Sequence, residues 1–368
     1  VADVYRSGWL SMGPQTEALE EEFAQYVGAR HALAVANGTA GLHLLCVASG
    51  LGPGDEVVVP SMTFVATVNA IAYTGATPVF ADIHGLTEPW LVAGTVDAVA
   101  TADTRAIMAM AYGGHPGETE GLAQLARDRG LALLEDAAHA AGSRSGGRHL
   151  GTFGRAGAFS FFSNKNLAVG EGGMVVTDDD DLAARMRLLR SHGMTTLTWD
   201  RHRGHASDYD VVAVGFNYRI DEPRAALARR RLARLDAENG RRADLDARYR
   251  NLLDGTSGLA LALAPVDGAR AAHHLFTIVL DPDVERTAFR EALAARGIQT
   301  SVHYPPAHRL SAHACAVDLP VTEAYGERAV TLPLFATMTD AQQDEVVSAI
   351  RAALTTQPAA TGAPGRRS

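Results

Sequence analysis

The sequence has 368 residues, enough for two or three domains at about 150 residues each and for a large buried core. It is 47% hydrophobic, 20% charged and 6% aromatic, with no apolar run long enough to span a membrane, so we expect a soluble globular protein. The 33 Lys and Arg residues against 42 Asp and Glu give a formal net charge of −9, which opposes binding to nucleic acid or to an anionic membrane surface.

Apolar strand patterns alternate with helical stretches through the first part of the chain. Six short runs rich in apolar and β-branched residues predict strands: HALAVANG, DEVVVPS, TPVFADI, TRAIMAMAY, LALLEDAA and GAFSFF. Nearly continuous apolar strands are typical of a mostly parallel sheet that helices cover on both faces. In such a sheet ligands bind at the carboxyl ends of the strands, so we expect a functional site at that edge.

The pattern changes in the second part of the chain. The stretch from about Pro223 to Tyr249 predicts one long helix, followed by strands at HHLFTIVL and around TSVHY and by a helix that starts near Asp340. We predict a large domain with its N-terminal segment over residues 1–239 and a smaller domain over residues 240–354. Residues 355–368 contain mainly Pro, Gly, Thr and Ala without periodicity, which predicts a flexible tail.

Asn37, Gly38 and Thr39 follow the first predicted strand and open a helical pattern. The backbone N–H groups of a helix start, together with the Thr39 hydroxyl, can bind a phosphate. The alternative is an ordinary Asn-Gly turn in which Thr39 caps the helix. The motif alone leaves both interpretations open.

The segment LALLEDAAHA places Glu135 and Asp136 at the end of a predicted strand and His139 three residues further on. A carboxylate at a strand end can contact a ligand, and Asp136 is the stronger candidate. Alternatively, Asp136 caps the following helix, and His139 is a histidine of the core or surface with ordinary hydrogen bonds.

Lys165 is the one lysine of the entire chain, in which every other basic side chain is Arg. It lies between an aromatic strand and a Gly-rich turn in GAFSFFSNKNLAVGEGGMVV. The Arg guanidinium stays protonated, whereas a Lys amine of lowered pKa can attack a carbonyl carbon. A surface lysine retained by chance is the alternative, which the apolar and Gly-rich surroundings disfavour.

These three segments together fit one cofactor, pyridoxal 5′-phosphate (PLP), which carries an aldehyde, a phosphate and a ring nitrogen. Lys165 would bind the aldehyde covalently, and Asp136 would pair with the ring nitrogen and keep it protonated. Gly38, Thr39 and Ser160 would bind the phosphate. We therefore expect an enzyme in which Lys165 and Asp136 are catalytic.

Eight stretches in a fixed order make the chain resemble the DegT/DnrJ/EryC1/StrS family of sugar aminotransferases. They cover nearly the whole sequence: ANGTAGLHL, VVVPSMTFVATVNAIAYTGATPVFADI, LLEDAAHAAGS, GAFSFFSNKNLAVGEGGMVVTDD, LRSHGM, VGFNYRIDEPRAAL, VHYPPAH and TLPLF. The resemblance implies the α/β architecture of fold-type I PLP-dependent transferases, like that of aspartate aminotransferase. A mostly parallel mixed sheet would form the large domain, with a smaller C-terminal α/β domain.

The resemblance also implies roles for residues that the local patterns leave ambiguous. Phe64 of PSMTF would lie against the cofactor ring, although by itself it could equally be a core aromatic. His139 would contact the ring face or its 3-hydroxyl. Asn217 of GFNYR would reach the phosphate bound to the neighbouring subunit, which implies a homodimer with shared active sites. Without that context, Asn217 is a turn residue and Arg219 an ion-pair partner.

Some relatives have a histidine in place of the Lys165 equivalent and carry out a dehydration, so a lysine there favours amino transfer. The resemblance implies that L-glutamate donates the amine to a nucleotide-linked keto-deoxy sugar, with dTDP-4-keto-6-deoxyhexose aminated at C4 as the leading expectation. An antibiotic or surface-glycan pathway would suit this reaction.

Amination at C3, or of a cyclitol ketone such as an inosose, stays open because pocket loops decide the sugar. A non-catalytic PLP-binding sensor is the alternative from another class, which the presence of Lys165 and Asp136 opposes.

Substrate contacts are expected from loops with basic or polar side chains, because anionic diphosphates are commonly bound by Arg or His. The candidates are Arg219, together with His303 and Tyr304 of VHYPPAH, which in relatives lies near the mouth of the active site. The segment 192–205 also contains several Arg and His residues, and its alternative is a solvated basic loop.

Cys46 and Cys315 are too few for a disulfide framework or a cysteine-rich metal site and are typical of a reducing cytosol. No signal-peptide pattern stands at the start of the sequence, so we expect a cytoplasmic protein.

The 14 histidines include no HExxH motif and no carboxylate-supported pair at i, i+4, so we expect no metal site.

Overall fold

The computed structural model describes residues 1–196, 199, 204 and 208–356. The strands are β1 His31–Val35, β2 Glu56–Pro60, β3 Thr77–Ala81, β4 Thr104–Met110, β5 Ala132–Asp136, β6 Arg144–Ser145, β7 Arg148–His149, β8 Ala156–Ser160, β9 Gly173–Thr177, β10 Leu259–Leu261, β11 Ala269–Arg270, β12 Phe276–Leu280 and β13 Ala329–Leu332. The α-helices are α1 Ala2–Ser7, α2 Pro14–Val27, α3 Gly38–Ala48, α4 Val65–Ala72, α5 Ala93–Asp97, α6 Thr119–Arg129, α7 Asp180–Arg190, α8 Glu222–Leu232, α9 Leu235–Leu253, α10 Arg286–Ala294, α11 Pro320–Arg328 and α12 Asp340–Thr356. None of the described helices is both long and apolar enough to cross a lipid bilayer.

A seven-stranded sheet in the order β1-β9-β8-β5-β4-β2-β3 organises the first part of the chain. The five strands β3, β2, β4, β5 and β8 run parallel. Strand β9 runs antiparallel to both of its neighbours, β8 and β1. This is the mostly parallel mixed sheet that the sequence predicted.

Helices cover the sheet on both faces, because alternate residues of a strand point in opposite directions. In β1, Leu33 and Val35 pack in the core with α3, α4 and α7, whereas Ala32 and Ala34 pack with α2 and α8. Helices α5 and α6 pack against the strands in a further core. Burial on both faces is the reason that the strands are continuous apolar runs.

The carboxyl ends of the parallel strands lie along one edge of the sheet. Strand β5 ends there at Asp136, and β8 ends at Ser160. Because Val35 of β1 and Ser160 of β8 both pair with Gly173 of β9, the loop that starts α3 at Gly38 lies beside the end of β8. The topology therefore brings together segments that are distant in the sequence.

A second, antiparallel sheet of three strands, β10-β12-β13, forms in the later part of the chain. Its core includes Tyr249 of α9, Phe289 of α10 and Ile350 of α12. A small third sheet joins β11 to β6 and β7. Helix α12 continues to Thr356, so the predicted start of the tail at Thr355 is wrong, and residues 357–368 lie outside the described residues.

The prediction of one long helix over Pro223–Tyr249 is wrong, because α8 and α9 separate at Ala233 and Arg234. Helix α8 packs on the large sheet through residues such as Ala228, whereas α9 packs on the second sheet through residues such as Leu245. The break allows each helix to pack against a different core, which local helix propensity does not reveal.

The predicted strand around TSVHY is also wrong: in the described structure this segment makes only an isolated bridge between Ser301 and Thr331. Pro305 and Pro306 follow it directly. Proline has no backbone N–H and cannot donate to a strand ladder, so the segment continues as a loop.

Candidate active site

A cleft of about 350 Å³ opens at the carboxyl edge of the large sheet. Nine of the residues predicted for the site line it: Gly38, Thr39, Phe64, Asp136, His139, Ser160, Lys165, His303 and Tyr304. A larger hollow of about 840 Å³ is lined by residues of α1, α2, α8 and the start of α9 and by none from the strand ends. The smaller cleft is therefore the candidate active site.

The start of α3 and the end of β8 form a cradle in this cleft. Asn37 is the N-cap of α3, since its Oδ1 accepts a hydrogen bond of 2.8 Å from the Ala40 N–H, so the alternative in which Thr39 caps the helix is wrong. A Cβ at Gly38 would lie 2.9 Å from the Cβ and 3.2 Å from the Oγ of Ser160, so only glycine fits without movement. The first N–H groups of the helix and the hydroxyls of Thr39 and Ser160 suit an anion such as a phosphate.

Asp136 lies at the floor of the cleft and is only 2% exposed. Its Oδ2 accepts a hydrogen bond of 2.6 Å from the Thr67 hydroxyl, and its Oδ1 accepts one of 3.0 Å from the Ala138 N–H. Burial raises the pKa of Asp136, and the two hydrogen bonds and the charge of Lys165 oppose that rise. The carboxylate is thus fixed in position and suited to pair with a cation in the cleft.

Thr67, on α4, is a site residue that the sequence analysis missed. Its hydroxyl donates to Asp136, and its Oγ1 lies 2.7 Å from the Oγ1 of Thr63. The sequence could have indicated Thr67, because it is a polar residue in the apolar stretch TFVATVNAI. It follows Phe64 by three residues, so the two side chains lie close together on the helix surface.

Lys165 lies in the turn after β8, where its backbone N–H donates to the Phe162 carbonyl at 2.9 Å. The residue is half-buried, and burial lowers the pKa of Lys165 to about 8, although the charge of Asp136 opposes that decrease. A much larger fraction of this amine than of an ordinary lysine is therefore neutral near pH 7, and the neutral amine is the form that attacks a carbonyl carbon.

Aromatic side chains form one wall of the cleft. The Gly113 N–H donates to Nδ1 of His139 at 3.2 Å, so Nε2 carries the hydrogen and donates to the Tyr304 hydroxyl at 2.9 Å. Burial holds the pKa of His139 well below its usual value, so the ring is neutral. The Tyr304 ring lies 5.5 Å from the ring of Phe64, which is 50% exposed. These flat groups suit the face of an aromatic ligand.

His303 is held at the edge of the cleft by contacts on its side chain and its backbone. Its Nδ1 lies 2.9 Å from the Thr331 hydroxyl, and its carbonyl accepts a hydrogen bond from the Tyr112 hydroxyl. Burial lowers the pKa of His303 to about 4, so it is neutral at physiological pH.

Two of the predicted residues do not line the cleft of their own chain. Asn217 is exposed and pairs through its backbone with Ser191, and Arg219 is half-buried, where burial and the charge of Arg190 lower its pKa. Much of the basic segment 192–205 lies outside the described residues, including Arg201, His202, Arg203 and His205.

The residues present fit PLP. The cradle at Gly38 and Ser160 suits the phosphate, the Asp136 carboxylate suits a protonated ring nitrogen, and the Lys165 amine suits the aldehyde. Within the part of the chain that the structure describes, no group of three or more His, Cys, Asp or Glu side chains is arranged to hold a metal ion.

Comparison with known proteins identifies the family of the chain. The model of the DegT/DnrJ/EryC1/StrS aminotransferase family matches residues 1–351. The solved structure of DesV from S. venezuelae is 38% identical, with a TM-score of 0.88, and the match covers 95% of this chain and 92% of DesV. The aminotransferase TlmJ from Streptoalloteichus hindustanus is 35% identical, with a TM-score of 0.90 and coverage of 96% and 94%.

DesI, solved in the presence of its TDP-sugar product, is 34% identical, with a TM-score of 0.86 and coverage of 96% of this chain and 88% of DesI. These matches confirm the predicted fold class and PLP as the cofactor. The chain therefore belongs to the DegT/DnrJ/EryC1/StrS aminotransferase family and is a PLP-dependent sugar aminotransferase.

Proposed function

We propose that this enzyme transfers the amino group of L-glutamate to a nucleotide-linked keto-deoxy sugar, with dTDP-4-keto-6-deoxyhexose aminated at C4 as the leading substrate. The observation that carries the proposal is a single cleft that joins Lys165, Asp136 and the anion cradle at Gly38 and Ser160. Similarity to DesI, which was solved with its TDP-sugar product, supports the substrate class.

The side chains of the cleft have complementary tasks in this reaction. When bound, PLP supplies an aldehyde that accepts amines and a ring that takes up electrons. Lys165, whose pKa is lowered to about 8, would bind the aldehyde as a neutral amine and, as a free amine, would take and return a proton at the substrate carbon. Asp136 would hold a negative charge against the ring nitrogen, and Thr67 fixes that carboxylate by donating a hydrogen bond to it.

We also propose a homodimer in which each chain completes its partner's site. Among the described residues that line one cleft, Lys165 is the only Lys or Arg, whereas a sugar diphosphate and the carboxylates of glutamate need several cationic or polar partners. Three valines in the segment before Asn217 are exposed to solvent. The exposed fraction is 52% for Val211, 56% for Val212 and 93% for Val214. Clustered exposed apolar side chains mark a protein interface, which supports placing the partner's Asn217 near the phosphate cradle.

The two sheets with separate cores support the proposed division into a large domain over residues 1–239 and a small domain over residues 240–354. Helix α9 crosses this boundary, because it begins at Leu235 and ends at Leu253.

The decisive test follows the absorbance of the PLP-loaded protein during two half-reactions. Excess L-glutamate should convert the bound cofactor to its pyridoxamine form, and a 4-keto-6-deoxy sugar nucleotide should convert it back. NMR analysis of the product then distinguishes amination at C4 from amination at C3 or of an inosose. A spectrum that glutamate leaves unchanged would contradict the proposed donor, and failure of every keto sugar to restore the first spectrum would contradict the proposed acceptor.

A further inference from the structure

Asn166, which directly follows Lys165, uses its whole side-chain amide in buried hydrogen bonds. Its Nδ2 donates to Asn239 Oδ1 and to the Ala272 carbonyl, each at 2.7 Å, and its Oδ1 lies 2.9 Å from Nδ1 of His274. Asn166 is 6% exposed and Asn239 only 1%. The residue next to the lysine is therefore tied to α9 and to the segment before β12.

Asn239 extends this network to the segment that follows Asp136. Its Nδ2 donates to the Ala141 carbonyl at 2.9 Å. Gly142 has a φ of +97°, and a Cβ there would lie 2.4 Å from Asn239 Nδ2, so the chain leaves room for this asparagine. The network thus connects the turn that carries Lys165 to the loop that carries His139.

His274 is the third member of the network and lies behind the wall of the cleft. Because the Asn166 Oδ1 can only accept a hydrogen bond, Nδ1 of His274 carries the hydrogen and donates it. The ring is 6% exposed, lies 4.3 Å from the His139 ring, and its Nε2 has no hydrogen-bond partner among the described residues. Burial keeps the pKa of His274 well below its usual value, so it acts here as a neutral donor.

We propose that His274 and Asn166 are positioning residues for Lys165, in which the Nδ1–H of His274 orients the Asn166 amide and the amide fixes the backbone that carries the lysine. The inference rests on the proposed role of Lys165 as the amine that binds the cofactor. A nucleophile held by a rigid neighbouring network spends more of its time in the attacking geometry than one on a mobile turn.

The test measures how the apo protein captures PLP at Lys165, as a function of pH. Borohydride reduction followed by peptide mass spectrometry gives the extent of capture at this lysine, and stopped-flow absorbance gives the rate. Asp136, His139, His274 and His303 interact electrostatically with Lys165, and burial keeps the three histidines neutral at neutral and alkaline pH. Glu171 and Tyr304 are the other titratable side chains among the described residues that line the cleft. Capture by the unmodified protein should therefore increase as the pH rises through about 8, where the lysine loses its proton.

Two substitutions at one position separate hydrogen bonding from packing. His274→Leu removes the donor to Asn166, and we expect capture of PLP to slow about tenfold. The pH midpoint of capture should also rise toward 10.5, the ordinary pKa of lysine, because a turn that is no longer fixed buries Lys165 less well. His274→Asn keeps an N–H donor close to the position of the imidazole Nδ1–H and should restore most of the rate and the midpoint. Asn166→Ala should behave like His274→Leu, which preserves the test if His274→Leu does not fold.

His115→Leu is the matched control, because His115 is another buried histidine with backbone partners and is not a lining residue of the cleft. It should lower the melting temperature without changing the pH midpoint of capture. A folded His274→Leu or Asn166→Ala protein with the unmodified rate and midpoint would overturn the inference, as would a folded His274→Asn protein as slow as His274→Leu. If the unmodified protein captures no PLP at Lys165, the proposed function fails instead.

Discussion

At the scale of single residues, hydrogen bonds in the cleft oppose the effect of burial on the charge of Asp136. Burial raises the pKa of Asp136, because a carboxylate without water around it holds its proton more tightly. The Thr67 hydroxyl, 2.6 Å from Oδ2, stabilises the ionised form. In the proposed site, Thr67 would therefore favour a protonated ring by stabilising the negative charge of Asp136.

Thr67→Val should weaken PLP binding, because it removes the donor that stabilises the charged Asp136. A hydrogen bond to a charged group contributes about 1.5–3 kcal/mol, so the Kd for PLP should rise about tenfold or more. Since the pKa of Asp136 rises further in the variant, the loss should be larger at pH 6 than at pH 8. Spectroscopic titration at both values measures this, with Thr67→Ser as the control that keeps the hydroxyl. Equal affinity of the Val and Ser variants would contradict the assignment.

At the scale of secondary-structure elements, the proposed phosphate cradle depends on how closely α3 approaches β8. The contact between Gly38 and Ser160 leaves no space for a methyl group, and Asn37 fixes where the helix begins. The close approach places the N–H groups at the helix start and the Ser160 hydroxyl in one cleft.

Gly38→Ala should separate the helix start from the strand, because the new Cβ would lie 2.9 Å from the Ser160 Cβ. Overpacking of this kind costs about 1–3 kcal/mol of folding free energy, which denaturant unfolding measures. The affinity for PLP should fall while the affinity for pyridoxal, which has no phosphate, changes little. Loss of affinity for both compounds alike would show that the cradle does not act through the phosphate.

Gly240→Ala is the control on a helix outside the site, because Gly240 lies exposed within α9 and a Cβ there meets nothing within 4 Å. Alanine has a higher helix propensity than glycine, so this variant should be more stable by about 1 kcal/mol and should bind PLP normally.

At the scale of the whole molecule, the proposed site extends beyond one chain. Asn217 and Arg219 lie outside their own cleft, and the neighbouring Val214 is 93% exposed. A second copy that covers this apolar segment would bury it and supply polar groups to the open cleft.

Mixing two inactive variants tests the shared site. In a heterodimer of Lys165→Ala and Asn217→Ala chains, one site carries both defects and the other carries neither. About half of randomly paired dimers are heterodimers, so the mixture should recover about a quarter of the unmodified activity after subunit exchange. A mixture of Lys165→Ala with Asp136→Ala is the control, since both residues belong to the same cleft and no intact site forms. No recovery in the first mixture, with dimers and subunit exchange verified by mass spectrometry, would contradict the shared site.

Local sequence patterns correctly predicted the class of fold and identified the residues proposed for the cleft. Lys165 is identifiable because it is the one lysine in a chain rich in Arg, and Asp136 because it ends an apolar strand. Strand patterns are local, and the carboxyl ends of parallel strands share one edge, so the site could be placed at that edge before any contact was known. The eight family segments added Phe64 and Tyr304 and favoured the site role of His139.

The surroundings of those groups depend on contacts that form when the chain folds. Thr67, Asn166 and His274 make hydrogen bonds to partners that are 69, 73 and 108 residues distant in the chain, and no local pattern encodes such pairs. The break between α8 and α9 likewise depends on two separate cores, although the sequence continues as a good helix former across it. Periodicity reports which face of an element is buried, whereas the folded chain decides which distant side chain it meets there.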